Sequence, residues 1–279
     1  MKCFYHSADL DGKCSGAIVA MAHPGIELIG INYGDAFPWD RIEGGETVFM
    51  VDFSLQPFDD MERLNEICHL IWIDHHKTAI DEAAKRMFSA GGGGFTEVGR
   101  AGCELTWAYC MPIVPLPKAV FWLGRYDVWD HANHPGALEL QYGMRLHDCS
   151  PENGDFWKSV FFSDLVTNDI AMTGVTLLKY EDQQNASYVK AHAFDVYLDG
   201  LRCMAINRGM TGSLMFKALW DQKKYDAMLS FVWRHGAWTI SLYSDKPGID
   251  VGAICKARGG GGHVGAAGFQ CDRLPFVSE

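Results

Sequence analysis

Eight residues in four short stretches have the types and spacing to do chemistry: His6, Asp9 and Asp11 in "HSADLDG", Asp52 in "VDFS", Asp74, His75 and His76 in "IDHH", and Asp127 in "YDVWD". Several of them close apolar runs, where acids and imidazoles are costly to bury unless something pairs with them. Imidazole and carboxylate donors in one set suit a borderline divalent cation such as Mn, Co, Fe or Zn better than a lone hard-cation site. The number of carboxylates also suits two ions. At roughly 3.5–4 Å apart, two ions can share a bridging carboxylate and water, make that water a nucleophile, and neutralise charge developing on a phosphoryl group.

Each stretch taken alone has a plainer reading. Asp9 and Asp11 can cap a helix that follows the first strand, and Asp52 can end a strand or cap a helix. "DHH" can be one hydrogen-bonded histidine beside a capping acid, and Asp127 can pair with Arg125 or Lys118. What separates the readings is whether the four stretches converge.

The elements around them predict that they do. "KCFYH" (2–6), "IELIGINY" (26–33), "TVFMVDF" (47–53) and "HLIWID" (69–74) read as strands, between helical patterns such as "GKCSGAIVAMA" and "PFDDMERLNEIC". This spacing predicts βαβ units and a largely parallel sheet, whose ligands sit beyond the carboxyl ends of the strands. Residues 102–130 read as two helices separated by "MPIVPLP", and 155–190 as helical again. The texture then changes: "FDVYLDGLRCMAIN", "AMLSFVWRH" and "WTISLYSD" read as strands, the last two joined by a hairpin-like "HGA", with "GSLMFKALWDQ" (212–222) a helix. The expected fold class is therefore α/β, in two domains: a catalytic domain over 1–170, a helical connector over 171–192, and a smaller domain over 193–279.

Composition narrows the partners. The formal charge of -11 disfavours tight binding of long duplex nucleic acid. It is unevenly spread: 14 Lys/Arg and 27 Asp/Glu in 1–190 give -13, while ten and eight in 191–279 give +2. That fits a small phosphorylated substrate held near metals that offset the acids. Nine scattered cysteines without a C-x-x-C pair indicate neither a disulfide framework nor a cysteine zinc site, so a reducing cytoplasm is expected. No signal peptide or membrane-spanning run is read, and the expectation is a soluble protein.

In this order, "HSADLDG", "VDFS", "IDHH" and "YDVWD", followed by "ARGGGGHVGAAGF" (257–269), resemble the motifs of the DHH phosphoesterase superfamily over nearly the whole chain. The resemblance implies a DHH domain with a dinuclear site, a smaller DHH-associated domain that binds substrate, and a cleft between them. One metal would take His6, Asp9 and Asp52; the other Asp11, Asp52, His75 and Asp127. The ions would be Mn2+ first, with Mg2+ or Co2+ as the other candidates. His76 would face the scissile phosphate, and Asp74 would orient a ligand histidine. Arg258, Gly260, Gly261, Gly262 and His263 would bind substrate.

Arg100 could reach the cleft or be solvated. His131 and His134 read as an exposed loop rather than an accessory site, "GGGGF" (91–95) as a loop, and Trp129 and Trp157 as minor candidates for base stacking. Where many small-oligonucleotide phosphodiesterases of the family carry Arg in an "SLRS"-like strand, this chain has "SLYS", so Tyr243 would stack or donate one hydrogen bond. The implied activity is hydrolysis of short oligonucleotides or cyclic dinucleotides to 5'-mononucleotides by a metal-activated water. The alternatives are a phosphomonoesterase on 3',5'-bisphosphate nucleotides, a pyro- or polyphosphatase, or an idle binding module. The family also suggests a homodimer.

Overall fold

The computed structural model describes the backbone of residues 1–278 and the side chains of residues 1–276. The chain divides into two compact units, Met1–Leu177 and Leu178–Glu279.

The first unit opens with β1 (Lys2–His6), α1 (Leu10–Ala22), β2 (Glu27–Ile31), β3 (Thr47–Val51), α2 (Asp59–Ile67), β4 (His69–Ile73) and α3 (Lys77–Arg86). The four strands form one sheet in the order β2-β1-β3-β4, and every pairing is parallel. Alternation along the strands explains why both faces are covered. Phe4, Val48, Met50, Leu70 and Trp72 point to one side, where Met61, Leu64, Ala79 and Ala83 of α2 and α3 meet them. Cys3, Tyr5, Phe49, Val51, Ile71 and Ile73 point to the other, against Val19 of α1 and Leu105.

Beyond the sheet come α4 (Gly102–Cys110), α5 (Lys118–Asp127), α6 (Ala137–Met144), α7 (Gly154–Phe162) and α8 (Asp164–His192). Their shared core includes Trp107, Val120, Leu123, Leu140, Met144, Trp157 and Ile170. Because all four strands are parallel, their carboxyl ends lie along one edge. His6 ends β1, while Asp52 and Asp74 follow the last residues of β3 and β4 directly.

The second unit contains β5 (Phe194–Leu198), β6 (Leu201–Asn207), β7 (Ala227–Arg234), β8 (Ala237–Tyr243), α9 (Val251–Lys256), β9 (Gly261–His263), β10 (Ala266–Cys271) and β11 (Val277–Ser278). They form a mixed sheet in the order β11-β5-β6-β7-β8-β10-β9, with β6 and β7 the parallel pair. Asp199-Gly200 and His235-Gly236 close tight hairpins with positive φ at both residues, as a two-residue type I′ turn requires.

Two expectations are corrected. "GSLMFKALWDQ" is not a helix: Ser213–Phe216 make one 3-10 turn, followed by turns. Met215 and Phe216 are drawn into a core with Met204, Ile206 and Met228, and so short a segment gains too little from its own backbone to propagate a helix. "FDVYLDGLRCMAIN" is a hairpin, broken at Asp199-Gly200. Within the glycine-rich stretch before Phe269, Gly261–His263 form strand β9. Residues 171–192 belong to the continuous helix α8, within which the division between the units falls.

Candidate metal centre

β1 delivers His6, and the turn after it places Asp9 as the N-cap of α1, where its Oδ1 accepts the Gly12 N–H at 2.9 Å. His6 Nδ1 lies 2.9 Å from Asp9 Oδ2 and 3.7 Å from Asp52 Oδ2. On the other side of Asp52, Oδ1 is 3.2 Å from His75 Nε2, which is also 3.2 Å from Asp127 Oδ2 and 3.7 Å from Asp11 Oδ2. Each oxygen of Asp52 therefore faces a different donor group: His6 with Asp9, and His75 with Asp11 and Asp127. Within each of the triads His6–Asp9–Asp52 and Asp11–His75–Asp127, donor atoms lie within 4.8 Å of one another.

Asp11 and Asp52 are almost fully buried. Asp11 is held by the N-terminus of α4: the Gly102 and Cys103 N–H groups donate to its two oxygens at 2.7 and 2.8 Å. Free amides at a helix start favour this placement of negative charge. Gly102 is obligatory there, since a Cβ would fall 2.7 Å from the Asp52 Cβ.

The donor set fits a divalent cation. The buried Asp52 Oδ1 and His6 Nδ1 have no hydrogen-bond partner despite their neighbours, which is the state of ligand atoms awaiting a cation. The electrostatics agree. Burial, and then the charge of Asp11, push the Asp52 carboxyl well above its usual range; burial with Asp11 and Asp52 does the same to Asp127. Burial alone would lower the His6 ring, but Asp52 and Asp9 beside it raise it to about 10. Asp9 moves the other way, since His6 outweighs the effect of its burial and lowers its carboxyl. Without a cation, protons are retained where carboxylates crowd.

Asp74 is completely buried. Its Oδ1 accepts the backbone N–H groups of His75 and His76 and lies 2.6 Å from His76 Nδ1. An ionised carboxylate only accepts, so Nδ1 carries the proton and Nε2 is left for chemistry. The ring that Asp74 orients is thus His76, rather than the ligand-type His75. His76 also falls in a triad with Asp52 and His75, but its Nδ1 is committed to Asp74. Burial would lower the His76 ring, and Asp74 more than reverses this, so it is raised.

Other sequence-singled residues stand apart from this cluster. Arg100, still partly exposed, donates to Glu97 at 3.3 Å and to the Glu104 carbonyl at 3.5 Å. Asp127 pairs with neither Arg125 nor Lys118: Arg125 pairs with Glu104, and Lys118 donates to Asn168 at 2.8 Å. His134 accompanies Asp130 at 3.0 Å. Trp157, 1% exposed, is core and offers no stacking surface.

In the second unit, Arg258 grips Asp199 through two nitrogens at 2.6 and 3.2 Å and lies over Phe269. The Tyr243 hydroxyl donates to the Thr211 carbonyl at 2.9 Å. Gly260 and Gly262 are explained by close approach to β10: added Cβ atoms would fall 2.0 Å from the Gly268 carbonyl oxygen and 2.5 Å from that of Ala266. Gly261 and His263 are exposed on β9.

The sequence reading missed Tyr33, two residues beyond β2 on the same sheet edge, with ring contacts to His6 at 5.7 Å and His76 at 6.2 Å. It also missed Glu104, buried, whose carboxylate accepts the Ala101 N–H and pairs with Arg125. The signal for Glu104 was its place three residues beyond Ala101, which precedes α4, where a carboxylate can reach back to the helix start.

No protein-family model matches the chain. It is 23% identical over 250 residues to an uncharacterised protein of Acanthamoeba polyphaga mimivirus, an alignment covering 82% of this chain. The chain spans about half, 54%, of the length of that curated relative. Among solved structures, it is similar to a pGpG-specific phosphodiesterase, PggH, from Vibrio cholerae (TM-score 0.54, 12% identity, 96% of this chain and 92% of that one). It is also similar to the DHH domain of a member of the s1p family of ribosomal proteins (0.54, 15%, 96% and 81%) and to an exopolyphosphatase-related protein from Bacteroides fragilis (0.51, 13%, 98% and 87%). At these identities the likeness is one of fold, which the chain shares with that DHH domain.

Proposed function

We propose that this chain, which has the DHH fold, is a metal-dependent phosphodiesterase that hydrolyses short oligonucleotides or cyclic dinucleotides to 5'-mononucleotides. The observation that carries the reading is Asp52, whose two oxygens face two separate imidazole-carboxylate groups at the carboxyl edge of the sheet. Similarity in fold to a pGpG-specific phosphodiesterase supports the substrate class.

His6, Asp9 and Asp52 would hold one ion, and Asp11, Asp52, His75 and Asp127 a second, with Mn2+ the first candidate. Bound there, divalent ions supply an activated water and offset charge on the phosphoryl group. The chain's own residues do the rest. The α4 amides fix Asp11, and the turn after β3 fixes Asp52, so the donors are preset rather than gathered on binding. Asp74 holds His76 by Nδ1 and raises the ring, which leaves Nε2 to exchange a proton with a phosphoryl or leaving oxygen. Arg258, Gly260, Gly261, Gly262, His263 and Tyr243 are the proposed contributors to substrate binding from the second unit, and Arg100 from the first.

The test is turnover with Mn2+ on pApA, a pentanucleotide, a cyclic dinucleotide, adenosine 3',5'-bisphosphate and pyrophosphate, with products separated by chromatography. Mononucleotides from the short linear or cyclic substrates are expected. Phosphate released from the bisphosphate or pyrophosphate alone would make the protein a phosphomonoesterase or pyrophosphatase on the same site.

A further inference from the structure

Resting on the phosphodiesterase reading above, we infer that Tyr33 is a base-stacking wall at the mouth of the metal centre, taking the purine or pyrimidine of a nucleotide whose phosphate lies on the cluster. The sheet dictates its position. Ile31, the last residue of β2, pairs in register with His6, so the chain two residues further on emerges beside the first donor group. From there the ring stands edge-on to His6 of the first donor group and to His76 beside the cluster.

The ring is held by its neighbours. Phe53, itself 3% exposed, packs against it with centroids 4.6 Å apart and planes inclined at 34°. Three aromatic contacts fix Tyr33, yet it remains 41% exposed. An aromatic surface held by these contacts and still partly exposed is suited to receive a second flat ring. Trp129, the other exposed aromatic near a donor, has His131 as its ring contact rather than a residue of the cluster.

The chemistry of the ligand follows from what an open ring beside an anion site can reward. Inorganic pyrophosphate has no apolar face to lay on it. A nucleobase does, and because every base has a π-face the contact supports affinity without dictating sequence. The subsite therefore favours nucleotide esters over inorganic phosphates at the same donors.

The test compares binding of AMP and ribose 5-phosphate, which share a phosphate and sugar and differ by the base, to the Mn2+-loaded full chain by calorimetry. The wild type should bind AMP at least about tenfold more tightly. Tyr33→Ala should weaken AMP about tenfold while leaving ribose 5-phosphate within about twofold, and Tyr33→Phe should keep the preference for AMP. Equal weakening of both ligands in Tyr33→Ala, or a preference that survives it, overturns the stacking role. A loss in Tyr33→Phe as large as in Tyr33→Ala assigns the effect to the hydroxyl and also overturns it. A wild type that binds both ligands equally refutes the subsite and leaves the metal-centre reading standing; one that binds neither refutes both.

Discussion

Asp52 takes a left-handed backbone conformation, φ +53°, that non-glycine residues seldom adopt, and it does so almost fully buried with other carboxylates beside it. Strain of this kind costs about 1–3 kcal/mol and persists only where the surroundings impose it, which is frequent at functional sites. Asn tolerates the same conformation without the charge. Asp52→Asn is therefore expected to stabilise the metal-free protein by about 0.5–2 kcal/mol in urea unfolding while abolishing turnover. An active Asp52→Asn variant would remove the bridging role.

The titrating groups give a second expectation. Asp52 and Asp127 have folded-state values above those of the unfolded chain, so above the folded values both states are ionised and the crowding penalty is present in full. As pH falls through those values, protonation relieves it. His6, raised to about 10, stabilises the metal-free fold while protonated, fully below about 6.5, and this contribution is lost as pH rises through 10. Its proton must leave for the nitrogen to bind a cation. Both effects make metal binding tighten with pH. The rise in Tm on adding Mn2+ should be larger at about pH 7.5 than at about pH 5.5, and a larger rise at the lower pH would contradict the donor set.

Among the elements, α4 and α5 do the positioning. Asp11 rests on the first amides of α4, Asp127 ends α5, and the two helices are tied by the pair between the buried Glu104 and the partly buried Arg125. Removing one partner of such a pair leaves the other charge buried. Glu104→Ala should cost about 3–5 kcal/mol in urea unfolding. It should also weaken Mn2+ binding on the Asp11 and Asp127 side. A change below about 1 kcal/mol would mean that the pair is solvated.

The four strands and the edge they share were legible because strand patterning and alternation with helices are local properties of the sequence. So was the meeting of the polar residues that follow β1, β3 and β4, since parallel strands must release their ends on one side; Asp127 comes to them from the end of α5. Tyr33 was not legible, and Glu104 only as a carboxylate that can reach back to its helix start: nothing local says that it meets an arginine in α5, or that an aromatic beyond β2 meets two histidines edge-on. "GSLMFKALWDQ" misled because its apolar spacing reflects anchoring in a core rather than a helical face. The glycines of 260–262 were read for what they might admit, whereas two of them are demanded by the neighbouring strand.

Across the whole molecule, charge bounds the substrate. A chain at -11, with its excess of acids in the part that carries the cluster, is expected to bind long duplexes weakly, because tight binding needs many phosphates neutralised. A duplex of about 30 base pairs should show no detectable binding at physiological salt, while short oligonucleotides turn over. Tight duplex binding would show a basic surface that the composition does not provide. Among the described residues, no helix is long and apolar enough to cross a membrane.

The most direct measurement is a Mn2+ titration followed by electron paramagnetic resonance on the wild type and on Asp52→Asn. Two ions per wild-type chain with a spin-coupled signal, and loss of that signal in Asp52→Asn, are predicted. A single uncoupled ion in the wild type, or a coupled pair that survives Asp52→Asn, would contradict the centre described.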